Sequence, residues 1–455
     1  MAIGYTTDSI CIDNKALRKR MKEMSRMIFN SPLEQVTIDR LPWKWMPTLY
    51  LFKGLSYAVL LFTSLVMLKR LGYQNSEITF YIGCTMLPWM FRPVLSIFVH
   101  KGYFNKLWIL ATEMINVICI AAIGYTITQQ SWTNYTVLLY VILMGSNVFH
   151  DIASDKYTLT SIRCQQVSLL RIFKRLVYRL ALLIAVGIVC MVAGNLEVVT
   201  RLIRASWSTA YYLLSAFLFV LSIWHVCLLP RFTRSYRERD ILLSDMFYAC
   251  LNTSADLIRT PSSWPGVLFL VCYLLPTNLL LPVSMLFQLD LGSSGGLGLS
   301  PQEFGYAYGT VGVFGLLAGD ILGIWLVHRY GLKKLLLLMA LAILVPSLVF
   351  IHLSFALPNN FTWICWCSFI QQLCYGFGSY AYLHFLVYYS EVKRFSTFML
   401  CVALAAVAMA IPFILSGTLQ MALGYRRFFM LTALCGVATL TATLLVMSVY
   451  RKETF

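Results

Sequence analysis

Four ionisable side chains lie inside stretches that are otherwise almost wholly apolar: Lys53, Arg92, Glu113 and Asp320. At membrane depth such a group costs at least about 2.5–3.5 kcal/mol, so each is a functional candidate. Lys53 would bind an anion or form a salt bridge between helices, and Arg92 would bind a carboxylate or phosphate, or form a structural pair. Glu113 would carry a proton or pair with a cation. Asp320 would titrate against His328 or a neighbouring helix.

A second group of charges lies near the ends of two consecutive apolar stretches. Asp151 and Asp155 are four residues apart, as are Arg175 and Arg179, and this spacing places each pair on one face of a helix. His150 precedes the first acid. We expect these five residues to form a gating network at one mouth of the protein, or else a purely structural network. A metal site is not favoured, because no second histidine is nearby.

Hydrogen-bonding side chains are mixed with aromatic ones in the stretch 361–389, where Gln371, Tyr375 and His384 are the main candidates. Such a mixture suits a sugar or peptide ligand. The same tyrosine-rich pattern also occurs in ordinary helix packing with interfacial anchors. Both interpretations stay open at this point.

The composition places all of these residues in a polytopic membrane protein. Of the 455 residues, 59% are hydrophobic and 12% are charged, against about 25% charged in a soluble domain. The net charge of +17 is carried mainly by loops between apolar segments, which predicts contact with lipid head groups and not with nucleic acid. A phosphate-binding loop and a nucleophile elbow are both missing from the sequence, so we expect no enzyme activity, no cofactor and no metal.

Twelve apolar segments of helical length follow a basic tail, and a helix is the expected form of each. Loops 129–134, 289–301 and 357–360 contain no Lys or Arg, whereas the alternate loops are basic, so we predict that both termini are cytoplasmic. The predicted domains are a tail (1–44), a six-helix half (45–229), a cytoplasmic linker (230–263), a second six-helix half (264–450) and a short tail (451–455). The segments are 46–68, 77–99, 106–128, 135–157, 172–194, 207–229, 265–288, 302–327, 334–356, 361–389, 395–423 and 427–449.

One loop sequence occurs at the same point of both halves. Segment two ends in FVHKGYFNK (98–106), and the glycine-rich segment eight ends in LVHRYGLKK (326–334). Both resemble the G-x-x-x-D-R-x-G-R-R loop of major facilitator transporters, with His100 and His328 at the position of the usual Asp. Arg329 matches the Arg of this loop. The resemblance implies that these residues belong to the latch between the two halves, with altered or pH-sensitive chemistry.

A closer resemblance covers nearly the whole chain from about residue 43. The chain is similar to AmpG-type muropeptide permeases, especially those of the Bacteroides type. Compared with that family, Lys53 replaces an acid, Asp320 replaces a Gly, and Gln371 stands where an acid is often found. The matching stretches are PWKWMPTLYLFKGLSY (42–57), LPWMFRPVLSIFV (87–99), HDIASDKY (150–157), YRLAL (178–182), GGLGLSPQEFGYAYGTVGVFG (295–315), CYGFGSYAYL (374–383), YYSE (388–391) and LGYRRFF (423–429).

This resemblance implies a twelve-helix all-α transporter of the bacterial inner membrane, expected to be a monomer. The implied activity is import of cell-wall muropeptide fragments by alternating access, coupled to protons. Because several charged positions differ from the family pattern, two alternatives stay open. One is transport of another anionic solute. The other is a transporter-like sensor or scaffold that binds its ligand without moving it.

Overall fold

Long apolar runs fold into helices, since helix formation pairs every backbone N–H and C=O group within its own segment. The computed structural model describes residues 42–101, 105–129, 132–161, 167–230, 264–393 and 395–449. Within these ranges all regular secondary structure is helical. Most of the predicted tail 1–44, nearly all of the linker 230–263 and the tail 451–455 lie outside the described residues.

The amino-terminal half contains six helical runs, labelled α1 to α6. They are α1 (Met46–Ala58, the π-helical turn Val59–Thr63 and Ser64–Arg70), α2 (Asn75–Cys84, the 3-10 turn Leu87–Phe91 and Arg92–Lys101), α3 (Asn105–Thr126), α4 (Trp132–Ser161), α5 (Val167–Leu182, the π-helical turn Leu183–Ile188 and Val189–Thr200) and α6 (Ile203–Leu228).

The carboxyl-terminal half repeats this arrangement. Its helices are α7 (Trp264–Cys272 and Leu275–Leu289), α8 (Pro301–Phe304, the π-helical turn Gly305–Gly312 and Val313–Tyr330), α9 (Leu332–Ala356), α10 (Phe361–Lys393), and the run Phe395–Val449, which Gly424 divides into α11 and α12.

Sharp changes of direction occur at glycines with positive φ. Gly331 (φ 80°) separates α8 from α9, and Gly424 (φ 74°) separates α11 from α12. Glycine adopts this left-handed conformation without a Cβ clash, so both bends are tight. The start of α8 has a capping box in which the Ser300 hydroxyl accepts a hydrogen bond from the Glu303 amide at 3.3 Å.

Nine helices of the described ranges are long and apolar enough to cross a membrane. The all-helical membrane fold that the sequence predicts is therefore confirmed. The count of twelve spans and the cytoplasmic position of both termini stay predictions. We use "predicted cytoplasmic end" for the end of the bundle where α1 begins, and "predicted periplasmic end" for the end where α1 meets α2.

The largest hydrophobic core contains residues of both halves. Leu65 and Ile82 of the first half lie in one buried cluster with Met285, Phe304 and Phe413 of the second. Two further clusters belong to the second half alone, and one lies in the first half near the predicted cytoplasmic end. The two halves therefore pack together over much of their facing surfaces.

The helices α5 and α8 approach most closely at glycines. The backbone at Gly187 faces Gly309 and Gly305, while Gly315 and Gly319 lie against the backbone of α10. Small residues at this spacing allow helix backbones to approach each other in lipid. The glycine-rich stretch of α8 thus serves two contacts, one with each neighbouring helix.

Gly309→Ala is expected to lower the melting temperature, because the added Cβ would overlap the backbone of Gly187. Overpacking of this kind costs about 1–3 kcal/mol. Gly145→Ala is the matched control, since a Cβ on this α4 glycine meets nothing within 4 Å. Alanine also favours the helix there, so the control is expected to be neutral or slightly stabilising. Equal melting temperatures of the two purified variants would contradict this packing argument.

Candidate functional site

Five charged side chains meet inside the first half, and we call them the N-half charge cluster. Lys53 of α1 and Arg92 of α2 each contact both Asp151 and Asp155 of α4, with Lys53 Nζ 3.1 Å and Arg92 Nη2 3.2 Å from Asp155 oxygens. Lys174 of α5 donates to Asp155 Oδ1 at 2.6 Å. Three cations against two carboxylates give the cluster a formal excess of one positive charge.

Aromatic rings cover the cations of this cluster. Lys53 Nζ lies 5.5 and 5.9 Å from the ring centroids of Tyr50 and Tyr178, and Lys174 Nζ lies 5.1 and 6.0 Å from the same rings. Cations over ring faces are held by the ring quadrupole. The cluster therefore combines positive charge with flat apolar surfaces, a combination suited to an organic anion. The rings that cover the three cations are those of Tyr50, Trp89 and Tyr178.

A buried carboxylate between two histidines lies next to this cluster. Glu113 Oε1 is 2.7 Å from His225 Nδ1 and 3.3 Å from His150 Nε2, and all three side chains are fully buried. His225 Nε2 lies 3.0 Å from the Thr48 hydroxyl of α1. Four helices thus contribute to one hydrogen-bonded group. The partners of Glu113 are thus histidines, whereas Lys53 and Arg92 pair with Asp151 and Asp155.

A third group of charges joins the two halves. Asp320 of α8 accepts hydrogen bonds from Arg175 Nη2 at 2.5 Å and Arg179 Nε at 2.8 Å, both on α5. Arg175 also donates to the Ser379 hydroxyl at 2.8 Å and the Gly376 carbonyl at 3.3 Å on α10. The Asp320 side chain is fully buried. This ion-pair group therefore holds the halves together on the predicted cytoplasmic side of their contact.

The predicted network of two acids and two arginines is divided between these groups. Asp151 and Asp155 pair with cations of the first half, whereas Arg175 and Arg179 pair with Asp320. The reason is helical register: successive residues of a helix point about 100° apart, so Lys174 faces α1 while Arg175 faces α8. His150 lies in the carboxylate–histidine group and not with the arginines.

The repeated-loop residues lie at helix ends. His328 is exposed near the end of α8, about two turns beyond Asp320, so the predicted pairing of these two residues is replaced by the pairing with arginines. Arg329 packs its guanidinium 5.9 Å from the Trp325 ring and 5.7 Å from the Tyr330 ring. His100 lies in α2, and its side chain is outside the described part of the structure.

The polar residues of α10 face several neighbours. Gln371 and Tyr375 line a small cavity with Gln372 of the same helix and Thr277 of α7. His384 lies farther along α10, with its ring 6.1 Å from that of Tyr380. The Gln371–Tyr375 region and His384 are therefore separate environments, although the sequence grouped them. The residues that line the cavity are Thr277, Leu280, Leu281, Pro346, Gln371, Gln372 and Tyr375.

The structure also contains a polar cluster that the sequence analysis missed, at the predicted periplasmic end. Asn75 Nδ2 of α2 lies 2.8 Å from Gln420 Oε1 and 2.9 Å from both Asp290 Oδ2 and the Tyr425 hydroxyl. Lys69 donates to Asn75 Oδ1 at 2.7 Å and forms an ion pair with Asp290. Two residues of the first half are thereby joined to three of the second.

Sequence signals existed for some of the missed residues. His225 is ionisable and lies inside a predicted span, so the rule applied to Glu113 would have selected it. Lys174 lies inside the predicted segment 172–194, so the same rule would have selected it, whereas Asp290 belongs to a loop without basic residues. Asn75 and Gln420 are neutral, and no property of the sequence alone distinguishes them from other helix residues.

Two curated sequences resemble the chain. They are the anhydromuropeptide permeases of Escherichia coli K12 and Escherichia coli O157:H7, each 23% identical over 334 residues. The match covers 72% of this chain and 63% of each permease, so the chain spans less than two thirds of the length of these relatives. No protein-family model matches the chain.

Solved structures of transporters share its fold. A proton-dependent oligopeptide transporter superposes with a TM-score of 0.66 at 12% identity, covering 90% of this chain and 98% of the other. A bacterial homologue of the human lysosomal transporter Spinster superposes with a TM-score of 0.67 at 11% identity, covering 90% of this chain and 97% of the other. A nucleoside transporter superposes with a TM-score of 0.64 at 14% identity, covering 88% of this chain and 98% of the other.

Together these likenesses support a major facilitator fold similar to that of AmpG-type permeases. The named relatives are all transport proteins, which agrees with the prediction that the chain is not an enzyme. The nine apolar helices and the permease resemblance support a multi-pass protein of the bacterial inner membrane. The solute, the coupling ion and the oligomeric state belong to the proposal below.

Proposed function

We propose that the chain is a secondary transporter that imports an anionic cell-wall muropeptide fragment across the bacterial inner membrane, coupled to protons. The observation that carries the proposal is the pair of halves joined by buried charges in a chain that resembles anhydromuropeptide permeases. Alternating access needs two bodies whose contacts can be exchanged around a site between them. The resemblance supplies the solute class, and the charges fit it.

The N-half charge cluster supports an anionic solute. Lys53, Arg92 and Asp151 of this cluster are buried, and an excess of positive charge among buried groups is costly unless a counter-charge arrives. Muropeptide fragments carry peptide carboxylates and sugar rings, which match the cations and the aromatic faces of this cluster. In our proposal Lys53 and Arg92 receive carboxylates, while Gln371 and Tyr375 of α10 contact the solute from the second half.

The groups at the two ends support a closing mechanism. Arg175 and Arg179 pair with Asp320 on the predicted cytoplasmic side, and Asn75 joins Asp290 at the predicted periplasmic end. Each transport cycle in this proposal breaks one of these groups while the other holds. His328 and Arg329 follow Asp320 at the end of α8, His100 lies near the end of α2, and in our proposal all three take part in the opening of this first group. The protein works as a monomer with both termini in the cytoplasm.

Uptake of labelled anhydromuropeptide into proteoliposomes is expected when the purified protein is present, and a proton gradient directed inward is expected to increase it. Empty liposomes and protein without a gradient are the controls. Specific binding without uptake would overturn the transport proposal and favour a transporter-like sensor. An absence of both binding and uptake would overturn the muropeptide assignment, and uptake of a different organic anion would replace it.

A further inference from the structure

The group around Glu113 differs from the other buried charges because its hydrogen bonds leave the number of protons open. Glu113, His225 and Thr48 form one chain of hydrogen bonds. The distances show which atoms share a proton, and they are compatible with two different totals of protons. From the geometry we infer that Glu113 and His225 form a proton-storage site that takes up and releases one proton. We call these two residues the proton pair. Its coupling to solute rests on the proposed transport function.

The Thr48 hydroxyl sets the first constraint, since it has one proton to donate. Its oxygen lies 2.9 Å from the Trp45 carbonyl, which only accepts, and 3.0 Å from His225 Nε2. If the hydroxyl donates to Trp45, then His225 Nε2 must carry a proton and donate to Thr48. If the hydroxyl donates to His225, then Nε2 carries no proton.

The Glu113 contact completes the count. His225 Nδ1 lies 2.7 Å from Glu113 Oε1, so one proton lies between these two atoms in either arrangement. In the first arrangement the pair holds two protons, one on Nε2 and one between Nδ1 and Oε1, and it is neutral overall. In the second it holds only the proton between Nδ1 and Oε1, and it carries one negative charge. Rotation of a hydroxyl is the only atomic change at Thr48 that separates the two states.

Burial gives these states different energies. Glu113 and His225 are fully buried, and a buried net charge is costly whereas a neutral pair is not. The site therefore takes up a proton when no other charge compensates it, and releases one when a positive charge approaches. The released proton leaves Nε2 for water, and His150 Nε2, 3.3 Å from Glu113 Oε1, donates to the carboxylate that remains.

The charged neighbours of the proton pair connect it to the N-half charge cluster. On α1, the Phe52 ring lies 5.5 Å from the His150 ring and 6.3 Å from the His225 ring, and the next residue is Lys53. On α4, His150 faces Glu113 and the next residue is Asp151, the partner of Lys53. On α3, Lys106 lies two turns before Glu113 and donates to the Val226 carbonyl of α6 at 3.0 Å.

On α1, Phe52 faces the proton pair and Lys53 faces the N-half charge cluster. On α4, His150 and Asp151 are divided in the same way. An anion bound at the cluster neutralises its positive excess, which changes the field that Lys53 exerts on the proton pair. Proton occupancy and anion occupancy are therefore linked, and the linkage acts in both directions.

The test compares two kinds of transport in proteoliposomes. Glu113→Gln and His225→Gln are expected to lower proton-driven accumulation of labelled anhydromuropeptide by about tenfold or more, while exchange of internal for external solute stays within about threefold of the wild type. Asn116→Ala is the matched control. This buried residue lies one turn from Glu113 and donates to Asn147 at 2.8 Å, but it does not titrate. The control is expected to retain both activities.

The inference is overturned if the two pair variants lose both accumulation and exchange, or if they lose neither activity. A second measurement needs no solute: infrared difference spectra of the purified protein, recorded as the pH is changed. Wild type and Asn116→Ala should show a titrating carboxyl or imidazole band that both pair variants lack, and identical spectra would overturn the inference. If the wild type moves no anhydromuropeptide, the proposed function fails, while the spectra still decide the proton site.

Discussion

Asp320→Asn is expected to reduce solute uptake to background and to lower the melting temperature of the purified protein. The substitution leaves Arg175 and Arg179 buried without their counter-charge, with side chains only 8% and 16% exposed. Removing one partner of a buried ion pair costs about 3–5 kcal/mol. Because this pair joins the two halves, the cost falls on the state that is closed at the predicted cytoplasmic end.

The matched control for this substitution is Glu303→Gln on the same helix. Glu303 is exposed and closes the capping box of α8, and glutamine can take the same role. Its variant is therefore expected to keep normal uptake and stability. Asp320→Glu, which retains the charge, is expected to recover part of the uptake. Normal uptake by Asp320→Asn would contradict the assignment of Asp320 to the contact that closes the protein.

Lys53→Met and Asp151→Asn are each expected to abolish uptake, and the double variant is expected to regain stability but not uptake. Each single change removes one partner from a buried contact, and the second contacts, Arg92 with Asp151 and Lys53 with Asp155, replace it only in part; the cost is therefore up to about 3–5 kcal/mol. The double variant keeps the excess of one positive charge in the N-half charge cluster, with Arg92, Lys174 and Asp155. Melting temperatures of the four proteins give the coupling energy of the pair.

This cycle separates the two interpretations of Lys53. If Lys53 only holds helices together, the double variant recovers uptake along with stability. If Lys53 binds the solute, stability returns while uptake and binding stay low. Normal uptake by Asp151→Asn alone would remove Asp151 from the mechanism. Expression is measured for each variant, so that a lost protein is not counted as lost transport.

The positions of the helices were largely predictable, whereas their contacts were not. The apolar segments coincide with α1 to α12 because backbone pairing leaves helices as the available form in lipid, and hydrophobicity alone marks them. Two ends differ. The expected start of segment five at residue 172 falls inside α5, which begins at Val167, and segment four ends four residues beyond the expected 157, at Ser161. At these two ends, polar residues on the predicted cytoplasmic side continue the helix where hydropathy no longer detects it.

The pairing of charges depends on rotation about helix axes, which spacing along one helix does not determine. Arg175 and Arg179 were correctly placed on one face, but the facing helix was α8 and not α4. Lys174, one residue earlier, makes the contact with Asp155 that the sequence assigned to its neighbours. Glycine contacts such as Gly187 with Gly309 constrain the relative rotation of α5 and α8, and these contacts emerge only once the helices are packed.

The π-helical turns of α1, α5 and α8 lie side by side in the middle of the bundle. The Thr63 hydroxyl of the first donates to the Ala185 carbonyl of the second at 2.8 Å, and Gly187 of the second faces Gly309 of the third. A π turn contains more residues than an α turn, because its hydrogen bonds join residues five apart instead of four. Taking up one residue of this surplus in Gly305–Gly312 turns the rest of α8 by about 100°. In the proposed transport cycle, that phase change would carry Asp320 away from Arg175 while the main chain stays hydrogen-bonded, and α8 would exchange partners without unwinding in lipid.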